Sequence, residues 1–397
     1  MRLRLVPAIA SIAWLLAAPR STKAQDQAAE PLRSSRGAAA IKSPIVNADR
    51  SITFSLVAPH AVRVELSADF LRSRLELQNG ADSLWHVTTQ PVDPGVYKYR
   101  LLVDGLQTVD PANSRIEPNY VLSNVVEVRD GTSFIYDLKP GVAHGTIRLE
   151  SFDSKILGRT VQFYVYTPPG YDKDRRSYPV LYDLHGAPGF PGLWGQINAS
   201  QRTLDNLLAA HRAPAMIYVI PTAEIPPFFP FPRAEQPTVA QAMEGMRTFE
   251  HYFLDEFIPY VEGTYRVKRE ARERWVTGYS LGGFEAFYVG IRHPEKFSVV
   301  RAGAVAFLQG ALFVDSLESH YPELRNTAAL NRLRLFYLDC GDGDPALPQM
   351  RHADATLRRL GVAHEFTVSS VGGGTHLGTP GTAFAEFVER LGAIVMK

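Results

Sequence analysis

The stretch Trp275-Val-Thr-Gly-Tyr-Ser-Leu-Gly-Gly-Phe284 constrains this chain more than any other. Apolar and β-branched residues run into Gly278-Tyr279-Ser280-Leu281-Gly282, and a helix-compatible run from Phe284 to Ile291 follows. That order reads as strand, sharp turn and helix, with a serine at the apex, the layout of a G-x-S-x-G nucleophile elbow. The flanking glycines let the backbone turn without side-chain clashes. The helix behind the turn aims its first amide N–H groups at any negative charge that grows near Ser280. Ser280 is the candidate nucleophile; the plainer reading is a chance match in a glycine-rich chain.

A serine hydroxyl is a weak nucleophile without a base, and the base needs an acid to hold it. Of the eleven histidines, His376 stands in the glycine-rich loop Gly372–Gly378, between the last expected strand and the last expected helix. The acid belongs in Leu338-Asp-Cys-Gly-Asp-Gly-Asp344, just past another expected strand. Asp339, Asp342 and Asp344 compete there; Asp344 is the choice and Asp342 the runner-up. The chain order Ser280, Asp344, His376 is the serine–acid–histidine order of the α/β-hydrolase layout. Oxyanion donors are expected from the backbone N–H of Leu281 and of Ala187, in Leu184-His-Gly-Ala-Pro-Gly189, because Pro188 has no N–H to give. His185 comes too early in the chain order to be the base and is read as a loop-shaping residue.

The rest of the chain supports that layout. Apolar strand-like runs at Tyr178–Leu184, Ala215–Ile220, Val299–Phe307, Leu333–Leu338 and His364–Val368 alternate with helical patterns at Phe249–Val261, Met350–Leu360 and Ala383–Val395. Such alternation predicts a mostly parallel sheet with helices on both faces, an α/β-hydrolase domain over residues 143–397. Ahead of it, Ile52–Leu56, Val62–Leu66, Trp85–Thr89, Val96–Val103 and Val125–Val128 are short alternating runs. They are separated by Asn79-Gly80, Pro94-Gly95 and Asp104-Gly105, which predicts a small immunoglobulin-like β-sandwich over 44–130 with a connector at 131–142. Residues 25–43 read as a linker. Residues 1–24 read as a secretory signal peptide: Arg2 and Arg4, an apolar run from Ala8 to Ala18, and Thr22-Lys23-Ala24 at the cleavage site. The apolar run is too short to span a bilayer comfortably, so an exported protein, periplasmic or secreted, with no stable membrane insertion is expected. Net charge is +1, which suggests no nucleic-acid partner. Cys340 is the only cysteine, so no intramolecular disulfide and no multi-cysteine metal site can form. No cofactor is expected.

Two resemblances follow from these residues. Phe54-Ser-Leu-Val-Ala-Pro59, Trp85, Pro94-Gly95-Val-Tyr-Lys-Tyr99, Val103-Asp-Gly105 and Asp110-Pro-Ala-Asn113 resemble the early-set sandwich related to the glycogen-branching-type carbohydrate-binding module. That resemblance implies either glycan contact or a module that only buttresses its neighbour. Tyr178–Gly186, Phe253–Val261, Gly278–Phe284, Gly341–Asp344 and Gly373–His376 resemble the putative esterase family. It includes feruloyl and acetylxylan esterases, enterochelin-type siderophore esterases, S-formylglutathione hydrolases and mycolyltransferases. The resemblance implies a serine ester hydrolase, and an early-set module ahead of it points to the feruloyl and siderophore branches. One departure concerns the pocket wall: members often carry a tryptophan soon after the histidine, where this chain has Leu377.

Substrate contacts are expected from Pro226–Arg233, with Phe228, Phe229 and Phe231 lining an aromatic acyl pocket beside Trp194, and Arg233 and Glu235 steering a polar group. The competing reading is an apolar plug against the sandwich. The expected substrate is a feruloyl or acetyl ester of plant polysaccharide. A siderophore ester is the rival within the enzyme class, and a non-catalytic carbohydrate-binding protein on a hydrolase fold is the rival outside it.

Overall fold

Alternation in Ile52-Thr-Phe-Ser-Leu-Val57 places Ile52, Phe54 and Leu56 on one face of a strand, and all three are buried. The computed structural model describes residues 41–80, 83–117, 122–131, 133–187, 199–223, 225, 238–305, 317–369 and 382–396. Within 45–128, one sheet orders Ile45–Val46, Ile52–Val57, Leu84–Thr88 and Gln78–Asn79. A second orders Leu75–Glu76, Val64–Ala68, Gly95–Val103, Ser123–Val128 and Ile116–Glu117, with Leu106–Thr108 paired to Gly95–Val103. Phe54 and Trp85 from the first sheet meet Leu66, Tyr99, Leu101 and Val126 from the second in one core, which makes a sandwich. Val62, expected in this alternation, precedes its strand and is exposed.

The Asp110-Pro-Ala-Asn113 segment closes the sandwich with polar rather than apolar contacts. Asp110 Oδ2 accepts from the Tyr99 hydroxyl at 2.8 Å and from Ser43 Oγ at 2.6 Å. Asn124 Oδ1 accepts from the Asp110 N–H at 2.6 Å. Ser43, read from sequence as the last linker residue, is thus already buried in this network.

The larger sheet is built from β1 (Thr146–Ser154), β2 (Arg159–Thr167), β3 (Val180–Leu184), β4 (Ile217–Ile220), β5 (Arg274–Tyr279), β6 (Val299–Gly303), β7 (Leu335–Gly341) and β8 (Glu365–Ser369). Their spatial order is β1-β2-β4-β3-β5-β6-β7-β8. The pairs β1–β2 and β2–β4 are antiparallel and the rest are parallel. Strands β3 to β7 are buried on both faces, which explains their near-continuous apolar runs. One face carries α1 (Ser200–Ala209) and α6 (Thr382–Val395), whose Leu204, Leu207, Phe387 and Leu391 share a core with Leu181, Trp275 and Leu335. The other carries α2 (Val239–His251), α3 (Ile258–Thr264), α4 (Leu281–Arg292) and α5 (Leu347–Leu360).

Phe249, Phe253, Phe257 and Val261 are all fully buried on that second face. A strict four-residue repeat outruns the roughly 3.6 residues of an α-helical turn, so the stripe should drift around the helix. Tyr252–Phe257 forms a π-helical segment between α2 and α3, whose wider turn absorbs the drift. Truncating one of these rings to Ala should cost about 3–5 kcal/mol. The connector is tied to the same unit: Asn206 Nδ2 on α1 donates to the carbonyls of Ile135 and Asp137, at 2.6 and 2.8 Å.

Candidate active site

The carboxyl ends of β3, β5, β6 and β7 converge on Ser280. Strand β5 ends at Tyr279, and Ser280 follows with φ 57° and ψ −118° before α4 begins at Leu281. A positive φ in a non-glycine residue is sparsely populated and costs on the order of 1–3 kcal/mol. The surroundings enforce it. The Ser280 N–H donates to the Gly303 carbonyl at 2.9 Å, and the Phe284 N–H donates back to the Ser280 carbonyl at 3.0 Å. Gly282 packs so tightly that a Cβ there would sit 1.9 Å from the Leu184 carbonyl oxygen, so the helix can start this close to β3 only with glycine. Leu281, Gly282 and Gly283 are the first residues of α4, whose amides have no intrahelical acceptor.

The loop after β3 passes directly over the serine. A Cβ on Gly186 would lie 3.1 Å from Ser280 Cβ and 3.8 Å from Ser280 Oγ. Ala187, the next residue, is half-buried against the core. His185 fixes this loop. Its Nε2 accepts from the Ala223 N–H at 3.0 Å, which leaves Nδ1 to donate to the Gly186 carbonyl at 3.1 Å. Burial holds its pKa down to about 4, so the ring is neutral and shapes the loop, as its sequence position suggests.

The three aspartates in and just after β7 separate cleanly. Asp339 is taken by Arg301, whose Nε and Nη2 donate to its two carboxylate oxygens, each at 2.8 Å. Asp342 is exposed, and its N–H donates to the Ser369 carbonyl at 2.9 Å. Asp344 is 3% exposed; its Oδ1 accepts from the Ala346 N–H at 2.8 Å, and its Oδ2 accepts from the Tyr279 hydroxyl at 3.4 Å. Of the three, Asp344 has the buried carboxylate that contacts the residue next to Ser280. Burial, with Asp344 and Asp339 nearby, pushes the Cys340 thiol up to about 12.

His376, Trp194, Phe228, Phe229 and Arg233, together with Phe231 and Glu235, lie outside the described residues. Two buried ionisable residues near the elbow escape sequence reasoning. Glu285, on α4, is fully buried, and neither of its carboxyl oxygens has a hydrogen-bond partner among the described residues. Burial raises its pKa well above the usual carboxylate range. Arg301 sits in the centre of β6 and is 3% exposed. The signal for both was a charge inside an apolar run, Phe284-Glu-Ala-Phe287 and Val299-Val-Arg-Ala302. Among the described residues no group of three or more His, Cys, Asp or Glu is placed to hold a metal, and no helix is long and apolar enough to cross a membrane.

An elbow serine at the end of the fifth strand, in a sheet ordered 1-2-4-3-5-6-7-8 with helices on both faces, defines an α/β-hydrolase. The family model described as Putative esterase matches residues 154–390. The chain belongs to that family. Among curated proteins it is similar to an endo-1,4-beta-xylanase/feruloyl esterase of Xylanibacter ruminicola, 26% identical over 338 aligned positions, with 81% of this chain and 44% of that protein covered. The chain spans about half the length of the curated relatives it matches first. Solved structures that share the fold include the following two. An enterobactin esterase from Shigella flexneri has TM-score 0.65 at 16% identity, covering 87% of this chain and 94% of its own. A ferulic acid esterase from Anaeromyces mucronatus has TM-score 0.53 at 21% identity, covering 64% and 93%.

Proposed function

We propose that this protein is an exported serine carboxylic-ester hydrolase that works through Ser280, His376 and Asp344. The observation that carries the reading is the elbow itself. Ser280 is held at positive φ where a helix begins, and the buried Asp344 carboxylate touches the adjacent Tyr279. In this scheme Ser280 Oγ attacks the ester carbonyl while His376 takes the hydroxyl proton. The N–H groups of Leu281 and Ala187 stabilise the oxyanion, and His376 returns the proton to the departing alkoxide. Water, activated by His376, then attacks the acyl-serine, releasing the acid and restoring Ser280. Asp344 orients the imidazole and stabilises its charged form.

The proposed substrates are feruloyl or acetyl esters of plant polysaccharide. The support is the relative described as a xylanase/feruloyl esterase, whose similarity runs over 81% of this chain and so reaches into the sandwich. A siderophore ester is the second reading, favoured by the enterobactin esterase likeness, which covers 87% of the chain. Glycan contact by the sandwich, the contribution of Trp194, Phe228, Phe229 and Arg233 to the pocket, and export directed by residues 1–24 belong to the same proposal. Hydrolysis of methyl ferulate, acetylated xylan and enterobactin, measured side by side with the purified protein, tests it. Turnover of enterobactin alone would replace the polysaccharide reading, and turnover of none would remove the esterase reading.

A further inference from the structure

The sheet beneath the site carries a row of polar side chains across its most buried strands. Register pairs Asp183 of β3 with Thr277 of β5, Thr277 with Arg301 of β6, and Arg301 with Tyr337 of β7; Asp339 lies two residues further along β7 on the same face. Arg301 joins them. It grips Asp339 through two parallel hydrogen bonds of 2.8 Å and donates from Nη1 to Thr277 Oγ1 at 3.2 Å. Its guanidinium stands 5.3 Å over the Phe387 ring of α6. Asp183, at the far end, accepts from the Tyr218 hydroxyl of β4 at 2.5 Å.

Each of these strands delivers one part of the proposed machinery a few residues later. Asp183 precedes Gly186 and Ala187, Thr277 precedes Ser280, and Asp339 precedes Asp344. Arg301 precedes Gly303, whose carbonyl accepts from the Ser280 N–H. The Asp339 carbonyl in turn accepts from the Ala304 N–H at 2.7 Å. Gly303 is hemmed in: a Cβ there would lie 2.8 Å from the Tyr279 ring, 3.2 Å from Arg301 Nη2 and 3.3 Å from Asp339 Oδ1. The ion pair therefore touches the backbone that sets the elbow.

A buried ion pair is a poor source of stability, because an apolar pair of similar volume often packs as well. Bidentate geometry, however, fixes direction and distance in a way that apolar contact does not. Resting on the serine-hydrolase reading above, we propose that Arg301 and Asp339, with Thr277, are positioning residues. They lock the relative heights of β5, β6 and β7 and so hold Ser280 and Asp344 in fixed relative positions. They touch no substrate.

The test uses the full chain, with kcat and KM measured on a soluble aryl acetate. The pair is replaced together as Arg301→Met with Asp339→Leu, so that no buried charge is stranded. The expected result is a folded protein with Tm within about 3 °C of wild type, kcat lowered about tenfold or more and KM within about twofold, since small misplacements of reacting groups cost rate rather than binding. Wild-type kcat in the folded double variant overturns the proposal. Should that variant not fold, Arg301→Lys and Thr277→Val serve instead; each keeps its charge or shape and is expected to lower kcat with KM held. Wild-type kcat in both also overturns it. Amide exchange at Ser280 gives a readout independent of turnover. It should quicken in the folded variant that was used, and unchanged exchange counts against the proposal. A wild-type protein that turns over no ester removes the hydrolase reading, while the exchange measurement still decides whether the pair holds the elbow.

Discussion

The Tyr279 hydroxyl donates to Asp344 Oδ2 at 3.4 Å, so the residue beside the candidate nucleophile contacts the candidate acid. Asp342 has no such place: its carboxylate is exposed. Asp344→Asn should therefore lower kcat by about 10⁴, since a neutral partner leaves the histidine in the wrong tautomer. Asp342→Asn should stay within about twofold of wild type, as exposed substitutions usually do. Steady-state kinetics on an aryl acetate decide it, and a larger loss at Asp342 would move the acid by two positions.

Ser280→Ala should abolish ester turnover, by about 10⁵ or more in kcat, while leaving a folded protein. Alanine meets the same φ of 57° that serine does, so the elbow strain is unchanged. A fluorophosphonate should label wild type at Ser280 and leave the variant untouched. Activity within a few-fold of wild type in the alanine variant would sink the nucleophile assignment.

Acid should weaken the fold through His185. Its pKa is held near 4 in the folded chain against about 6.5 unfolded, so the unfolded chain binds the extra proton first. The neutral ring contributes its full stability above pH 6.5, and that contribution is lost as pH falls towards 4, up to about 3 kcal/mol. Urea unfolding at pH 7 and pH 5 should show a smaller loss in His185→Gln than in wild type. Equal losses would mean that His185 is not buried as a neutral ring.

Glu285 should act in the opposite direction. Its pKa is raised by burial, so above about pH 4.5 the folded chain keeps a proton that the unfolded chain releases. Stability is then lost as pH rises, by up to about 1.4 kcal/mol per pH unit. Glu285→Gln has no such proton, so its advantage over wild type should widen between pH 5 and pH 8. A gap that stays constant with pH would show that the carboxyl finds a partner in solution.

What was legible in the chain follows from which forces leave a pattern. The elbow was legible because its glycines answer to steric contacts that no other residue satisfies, as at Gly282 against the Leu184 carbonyl. Strands β3 to β7 were legible because both faces are buried, which keeps their runs mostly apolar. Helix α1 was not, because its buried residues mix Ser200, Thr203, Asp205 and Asn206 with Leu204 and Leu207, which breaks up the apolar stripe. The choice between Asp344 and Asp342 stayed open in sequence because it turns on burial and on the contact with Tyr279, which lies 65 residues from Asp344 in the chain. The π-helical segment left a trace, the four-residue spacing of Phe249, Phe253 and Phe257, but a regular helix explains that spacing equally well until the burial of all three rings is seen.

Cys340 has a practical consequence. It is the only thiol in the chain, and it is sealed inside β7 with its ionisation pushed far towards alkaline conditions. Maleimide and iodoacetamide chemistry near neutral pH acts on the thiolate, so the native protein offers these reagents almost nothing. A cysteine introduced at an exposed position, such as Asp342→Cys on the turn beside Asp344, becomes the single labelling point. Fluorescent or spin probes can then report on movement at the mouth of the site without first stripping the natural cysteine from the fold.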